Sequence, residues 1–155
     1  MKKIKVENCK VYINHSTFNL IESFKQIHKT ANEAGGILFG QIKENDIYIL
    51  RASTPNKYDK SKRYSFECNK DAAQILIDYE FYNSGQKTIY LGEWHTHPDS
   101  IPTPSTIDRK MITDQFIKNK LNESLLILII QGLNGLFTSI YNGKCLEQIK
   151  FTLLD

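Results

Sequence analysis

The chain has 155 residues, 41% of them hydrophobic, and a formal net charge of +3. That size and apolar content suit one compact domain spanning residues 1–155, and so modest a charge argues against nucleic-acid binding as its main purpose. No run approaches a membrane span, and the charged start Met1-Lys2-Lys3-Ile4-Lys5-Val6-Glu7 does not read as a signal peptide, so the cytoplasm is the expected compartment.

In chain order, Ser16 can cap a first helix whose apolar residues Phe18, Leu20, Ile21, Phe24 and Ile27 approximate a helical stripe, ending before Gly35-Gly36. Strands are expected around Gly36–Ile42 and Ile47–Ala52. The polar stretch Lys57-Tyr58-Asp59-Lys60-Ser61-Lys62-Arg63, opened by Pro55, reads as a solvated loop or as a substrate-facing insertion. Asn69 can cap a second helix through Ala72, Ala73, Ile75, Leu76 and Tyr79, ending near Gly85. A strand over Thr88–Thr96 follows, then a third helix that begins at Ser105 and carries Met111, Ile112, Phe116 and Ile117. Strands over Leu125–Gln131, Gly135–Tyr141 and Leu146–Leu153 complete the chain, with Asn134-Gly135 and Asn142-Gly143 as hairpin turns. The run Leu125-Leu126-Ile127-Leu128-Ile129-Ile130 reads as a buried central strand. The pattern is α/β, a mixed sheet with helices packed on it, and Phe39, Trp94, Phe137 and Tyr141 belong to its core or a pocket wall.

Chemistry concentrates in Gly92-Glu93-Trp94-His95-Thr96-His97-Pro98 and the residues that follow. On a strand, His95 and His97 project from one face, so two imidazoles can meet one ion. Pro98 ends the strand, and Pro102 and Pro104 stiffen the return. Ser105 then caps a helix with Asp108 at its third position, beside the positive end of the helix dipole, which brings a carboxylate back toward the histidines. Two His and one Asp suit zinc and leave a fourth tetrahedral position for water. Taken alone, Ser105-x-x-Asp108 is an ordinary capping box, and Glu33 is a solvated residue before a glycine stop. Cys9, Cys68 and Cys145 form no CxxC pair and read as packed thiols, while His15 and His28 read as surface or core residues flanking a helix.

His95-Thr96-His97-Pro98, six residues, Ser105, two residues and Asp108 resemble the signature HxHPx(6)SxxD of the JAMM (MPN-plus) metalloproteases. Glu33, in Asn32-Glu33-Ala34-Gly35-Gly36-Ile37-Leu38-Phe39-Gly40, resembles the glutamate that this family carries upstream. Gly92-Glu93-Trp94 is closer to the bacterial JAB-domain branch than to the eukaryotic deubiquitinases. Thr96 stands where serine is common, with its side chain expected on the face opposite the ligands.

The resemblance implies a single JAMM/MPN-type domain of cytidine-deaminase-like architecture, with a mixed sheet flanked by about three helices. It implies one zinc ion held by His95, His97 and Asp108, with Glu33 as general base and Ser105 as hydrogen-bond donor to the oxyanion. The expected activity is hydrolysis of a peptide or isopeptide bond at the C-terminus of a ubiquitin-like or conjugated protein. Such bacterial proteins are encoded beside separate activating-like and conjugating-like enzymes, including those of CBASS antiphage systems. Processing of a sulfur-carrier protein, or a non-catalytic MPN-type scaffold, are the alternatives.

Overall fold

The structure, a computed structural model, describes residues 1–6, 9–118, 125–141, 146–149 and 153–154. In chain order the elements are β1 (Lys2–Val6), β2 (Cys9–Ile13), α1 (His15–Ser23), β3 (Gly35–Lys43), β4 (Asp46–Ala52), β5 (Lys60–Lys62), β6 (Ser65–Glu67), α2 (Lys70–Asn83), β7 (Ile89–Thr96), α3 (Thr106–Lys118), β8 (Leu126–Gln131), β9 (Leu136–Tyr141), β10 (Leu146–Ile149) and β11 (Leu153–Leu154). Nine of these strands form one sheet in the order β10-β9-β8-β7-β3-β4-β2-β1-β11, and β5 pairs with β6 as a separate hairpin. The sheet is mixed: β7–β8 and β2–β4 run parallel and the other pairs antiparallel. Parallel neighbours need a crossover, and α3 supplies the one between β7 and β8.

β8 is buried along its whole length, as its unbroken apolar run requires of a strand covered on both faces. Its alternate side chains divide between two cores. Ile127 and Ile129 join Val11, Ile13, Trp94 and the α1 residues Phe18 and Ile21. Leu126, Leu128 and Ile130 meet Ile112 of α3, with Phe137 and Tyr141. Trp94 is fully buried, tilts against Phe24 at 5.6 Å and donates its indole N–H to the Ser53 carbonyl at 2.9 Å. It therefore faces the α1 side, away from the histidines.

Some local readings change in three dimensions. Asn14, not Ser16, caps α1, accepting the Ser16 N–H at 3.0 Å. The helix stops at Ser23, because Phe24 turns in to pack on Trp94, and Ile27 is left 76% exposed. β1 and β2 lack the unbroken apolar signature, since the lysines of β1 are tolerated near the edge of a sheet. Asn69 does cap α2, yet Ile75, Leu76 and Tyr79 lie at the surface; the helix is tied to the sheet by Phe81 and by the Arg51–Glu80 ion pair at 2.9 Å. The β8–β9 connection is the four residues 132–135 rather than a two-residue Asn134-Gly135 turn, closed by a 2.8 Å bond from the Gly132 N–H to the Gly135 carbonyl. The Asn142-Gly143 turn lies outside the described residues.

Register between β3 and β7 shifts at Leu38/Phe39, so Leu91 and Trp94 both reach the α1-side core while Tyr90 packs on the α3 side. Gly92 makes that shift, with φ +147° and no room for a Cβ against the Ile127 carbonyl. Gly92→Ala is expected to cost about 2–4 kcal/mol, the scale of backbone strain plus overpacking. Denaturant unfolding checks this, with Gly85→Ala as the comparison: Gly85 also has positive φ, but nothing lies within 4 Å of its missing Cβ.

Candidate active site

Three separate stretches of chain supply the site. β7 carries His95 to its end, and a 2.9 Å bond from the His97 N–H to the Gln131 carbonyl prolongs the pairing by one residue. The two rings sit side by side with centroids 5.1 Å apart, both buried. Pro98 then leaves the sheet. The return loop is anchored to the β8–β9 connection, with the Leu133 N–H on the Asp99 carbonyl at 2.9 Å and the Asn134 N–H on the Ser100 carbonyl at 2.8 Å. Buried Pro102 and Pro104 complete it.

At the head of α3 a reciprocal capping box forms. The Ser105 N–H donates to Asp108 Oδ2 at 2.8 Å, and the Asp108 N–H donates to Ser105 Oγ at 3.1 Å. The box aims the Asp108 carboxylate across both rings: Oδ1 is 3.0 Å from His95 Nε2 and Oδ2 is 3.0 Å from His97 Nε2. Capping and ligand geometry are thus the same local structure seen from two sides.

Glu33 arrives from the other direction. It is 3% exposed, not solvated, in the segment leading into β3. Its N–H donates to the Lys62 carbonyl at 2.8 Å, and the Ser61 hydroxyl donates to its carbonyl. The basic stretch around Lys57–Arg63 is therefore no free loop: its β5 strand grips the Glu33 segment. On the other side, the Thr96 N–H donates to the Ala34 carbonyl at 2.8 Å and the Ala34 N–H to Thr96 Oγ1 at 3.0 Å. Thr96 points away from the ligand face, as its place between two same-face histidines demands. One potential ligand atom each from Glu33, His95 and His97 lies within 4.8 Å of the others.

The electrostatics follow from crowding. Burial raises Glu33 to about 8, with Asp108 and Asp99 adding to the rise and His97 opposing it. Burial alone would depress His97, but close contact with Asp108 and the charges of Glu33 and Asp99 lift it above free imidazole. Burial pushes Asp108 up, and the two adjoining imidazoles outweigh it, holding this carboxyl well below the usual range. Glu93, on the same face as His95, is raised to about 7 by burial, with Lys70 opposing.

These residues fit a metal ion. His95 Nε2 is buried and has no hydrogen-bond partner, with Asp108 Oδ1 3.0 Å away. Imidazole nitrogens and carboxylate oxygens gathered this closely form a donor set that a divalent cation such as zinc accepts. Tetrahedral bonds of about 2.0–2.2 Å set ligand atoms roughly 3.3–3.6 Å apart, between the 3.0 Å of the Asp108–histidine approaches and the 4.8 Å within which the Glu33, His95 and His97 atoms lie. A thiol nucleophile finds no comparable support: burial, with Glu93 and Asp59, pushes Cys68 up to about 12, and His15 and His28 are exposed. The side chain of Cys9 and the whole of Cys145 lie outside the described residues.

The end of a central strand that presents two histidines to a capped aspartate, beside a buried glutamate, makes a candidate metal centre of the hydrolase type. The chain belongs to the prokaryotic homologs of the JAB domain, whose family model matches residues 24–141. It is 32% identical over 134 residues to a Pseudomonas aeruginosa protein named CD-NTase/cGAS isopeptidase, covering 84% of each chain. An Escherichia coli protein of the same name is 37% identical over 90 residues, 58% of each chain. The solution structure of a Desulfitobacterium hafniense protein shares the fold, with a TM-score of 0.64 at 16% identity over 90% of both chains. Family membership and these relatives support a JAB-type peptidase role.

The raised carboxyls set a pH dependence. Glu33 and Glu93 bind protons more tightly folded than unfolded, so these two groups contribute stability to the metal-free protein that is fully present below about pH 4.5. That stabilisation is lost as pH rises toward 8. Added zinc favours the Glu33 carboxylate and opposes the loss, as metal binding releases protons. Thermal melts from pH 5 to 9, with chelator or with zinc, should diverge increasingly toward high pH; parallel curves would contradict the arrangement.

Proposed function

We propose that this protein is a zinc-dependent isopeptidase that releases a protein C-terminus from the amine to which it is conjugated. The convergence of His95, His97 and Asp108 opposite Glu33 carries the reading. His95, His97 and Asp108 would hold the ion. Bound zinc supplies Lewis acidity, lowering the pKa of water toward neutrality and polarising the scissile carbonyl.

The chain's own groups manage protons and geometry. Glu33 takes the proton of the attacking water on its carboxylate and hands it to the departing amine nitrogen. Burial raises this carboxyl to about 8 without a cation and bound zinc would bring it down, so that it can take up and give back a proton near neutrality. Ser105 Oγ accepts the Asp108 N–H and keeps its own hydrogen to donate to the developing oxyanion. An extended substrate tail is gripped by strand addition beside the site, through main-chain hydrogen bonds. No acyl-enzyme is needed.

The isopeptidase names of the relatives favour deconjugation over processing of a sulfur carrier. The substrate class is then a nucleotidyltransferase joined through its C-terminus to another protein, with activating-like and conjugating-like enzymes as separate partners, in CBASS-type defence.

Purified protein incubated with such a conjugate should release both parts intact, seen by mass spectrometry, and chelator should stop it. Glu33→Gln should lower kcat by about 10²–10⁴-fold, the usual scale for general acid–base catalysis, without loss of bound zinc. Chelator-resistant cutting, or normal turnover by Glu33→Gln, would sink the mechanism. Ser105→Ala should lower kcat by about 10²-fold from the oxyanion contact and also cost about 1 kcal/mol of stability from the lost cap, read by denaturant unfolding.

A further inference from the structure

Gln26 lies beyond the end of α1, in a stretch with no motif, and is only 2% exposed. Its carboxamide makes three bonds to three parts of the chain. Nε2 donates to the Ala31 carbonyl and to the Arg63 carbonyl, each at 3.0 Å, and Oε1 accepts the Thr96 hydroxyl at 2.9 Å. Both amide hydrogens and one acceptor site are thereby used, which a buried carboxamide needs if it is not to be costly. The Arg63 guanidinium closes the same circuit by donating to the His28 and Ala31 carbonyls at 3.3 Å.

These partners are the segment before Glu33, the turn of the β5–β6 hairpin, and the residue between the two histidines. Thr96 Oγ1 passes the connection on by accepting the Ala34 N–H at 3.0 Å. Glu33 is thus held on its N-terminal side through Ala31, on its C-terminal side through Ala34, and at its own N–H by Lys62 of the hairpin that Gln26 secures. A group that carries a proton between reacting atoms must be placed closely; an error of 1 Å costs roughly 10²-fold in rate.

We infer that Gln26 is a positioning residue for Glu33, acting through Ala31, Thr96 and the hairpin turn to fix the carboxylate against the histidines. The inference rests on the reading of Glu33 as the proton carrier. Gln26→Met keeps the length and removes all three bonds.

Two measurements test it. Amide hydrogen exchange on the protein without substrate should show the Glu33, Ala34 and Thr96 N–H groups exchanging at least about tenfold faster in Gln26→Met, with Leu128 and Ile129 of β8 unchanged. That is the signature of local release rather than general loosening. Unchanged exchange at the three amides, or an equal rise throughout the sheet, would overturn the inference. In cleavage of the conjugate, Gln26→Met should lower kcat at least about tenfold with KM and zinc content held within twofold. In a Glu33→Gln background the same change should have almost no further effect, because a positioning residue has nothing left to position. Equal losses in both backgrounds would mark Gln26 as structural only and would also overturn it. Should Gln26→Met fail to fold, Thr96→Val cuts the network at its other end and should give the same exchange pattern and kcat loss. If the wild-type protein cleaves no conjugate but the local exchange shift is present, the isopeptidase reading fails while the placement of Glu33 by Gln26 stands.

Discussion

Four ionisable side chains, Glu33, His95, His97 and Asp108, are pressed together where little water reaches, and the surrounding structure holds them against their cost. Buried carboxylates and imidazoles are expensive unless paired or bound to an ion. The cluster meets that demand unevenly. Asp108 is contacted by both rings and by the N–H of Ser105, whereas burial raises the Glu33 carboxyl to about 8 and His95 Nε2 has no hydrogen-bond partner. A cluster of this kind has the donor set of a candidate cation site, and binding of a metal there would be coupled to its protonation.

Rigid elements carry each member. β7 is buried from Leu91 to Thr96 and flanked by β3 and β8, so the histidine end of the strand has little freedom. Asp108 rides on the first turn of α3, where the capping box sets its rotamer. The glutamate lies on no helix or strand and is held by the hairpin instead. β5 supplies Lys62 and Ser61 to its backbone, and the Gln26 carboxamide ties hairpin, glutamate segment and ligand strand together.

Legibility differed among these parts for identifiable reasons. β8 announced itself by six consecutive apolar residues, α2 by Asn69 at its cap, and the His95–His97 pair by a two-residue spacing that a strand converts into one face. β1 and β2 were hidden by lysines that a sheet edge tolerates, and the hairpin by a charge run that resembles any solvated loop. Glu33 had no local signal at all; its burial is created by β5 and β7, which lie tens of residues away in sequence, and only a family resemblance pointed to it. Gln26 had neither kind of signal, because nothing about an isolated glutamine distinguishes a surface residue from one that closes three contacts.

By itself the sequence determined what is local and periodic: the α/β class, the strand that aligns two histidines, the proline-stiffened loop and the cap that presents Asp108. These depend on side-chain alternation, fixed proline φ and hydrogen bonds across three residues, all of which neighbours in the chain can set. Only the tertiary structure decided that Glu33 is buried, that the basic stretch grips it, and that Gln26 joins the two to the ligand strand. Those outcomes depend on which carbonyls and hydroxyls are brought within about 3 Å by the packing of distant segments, and no short-range preference encodes that distance.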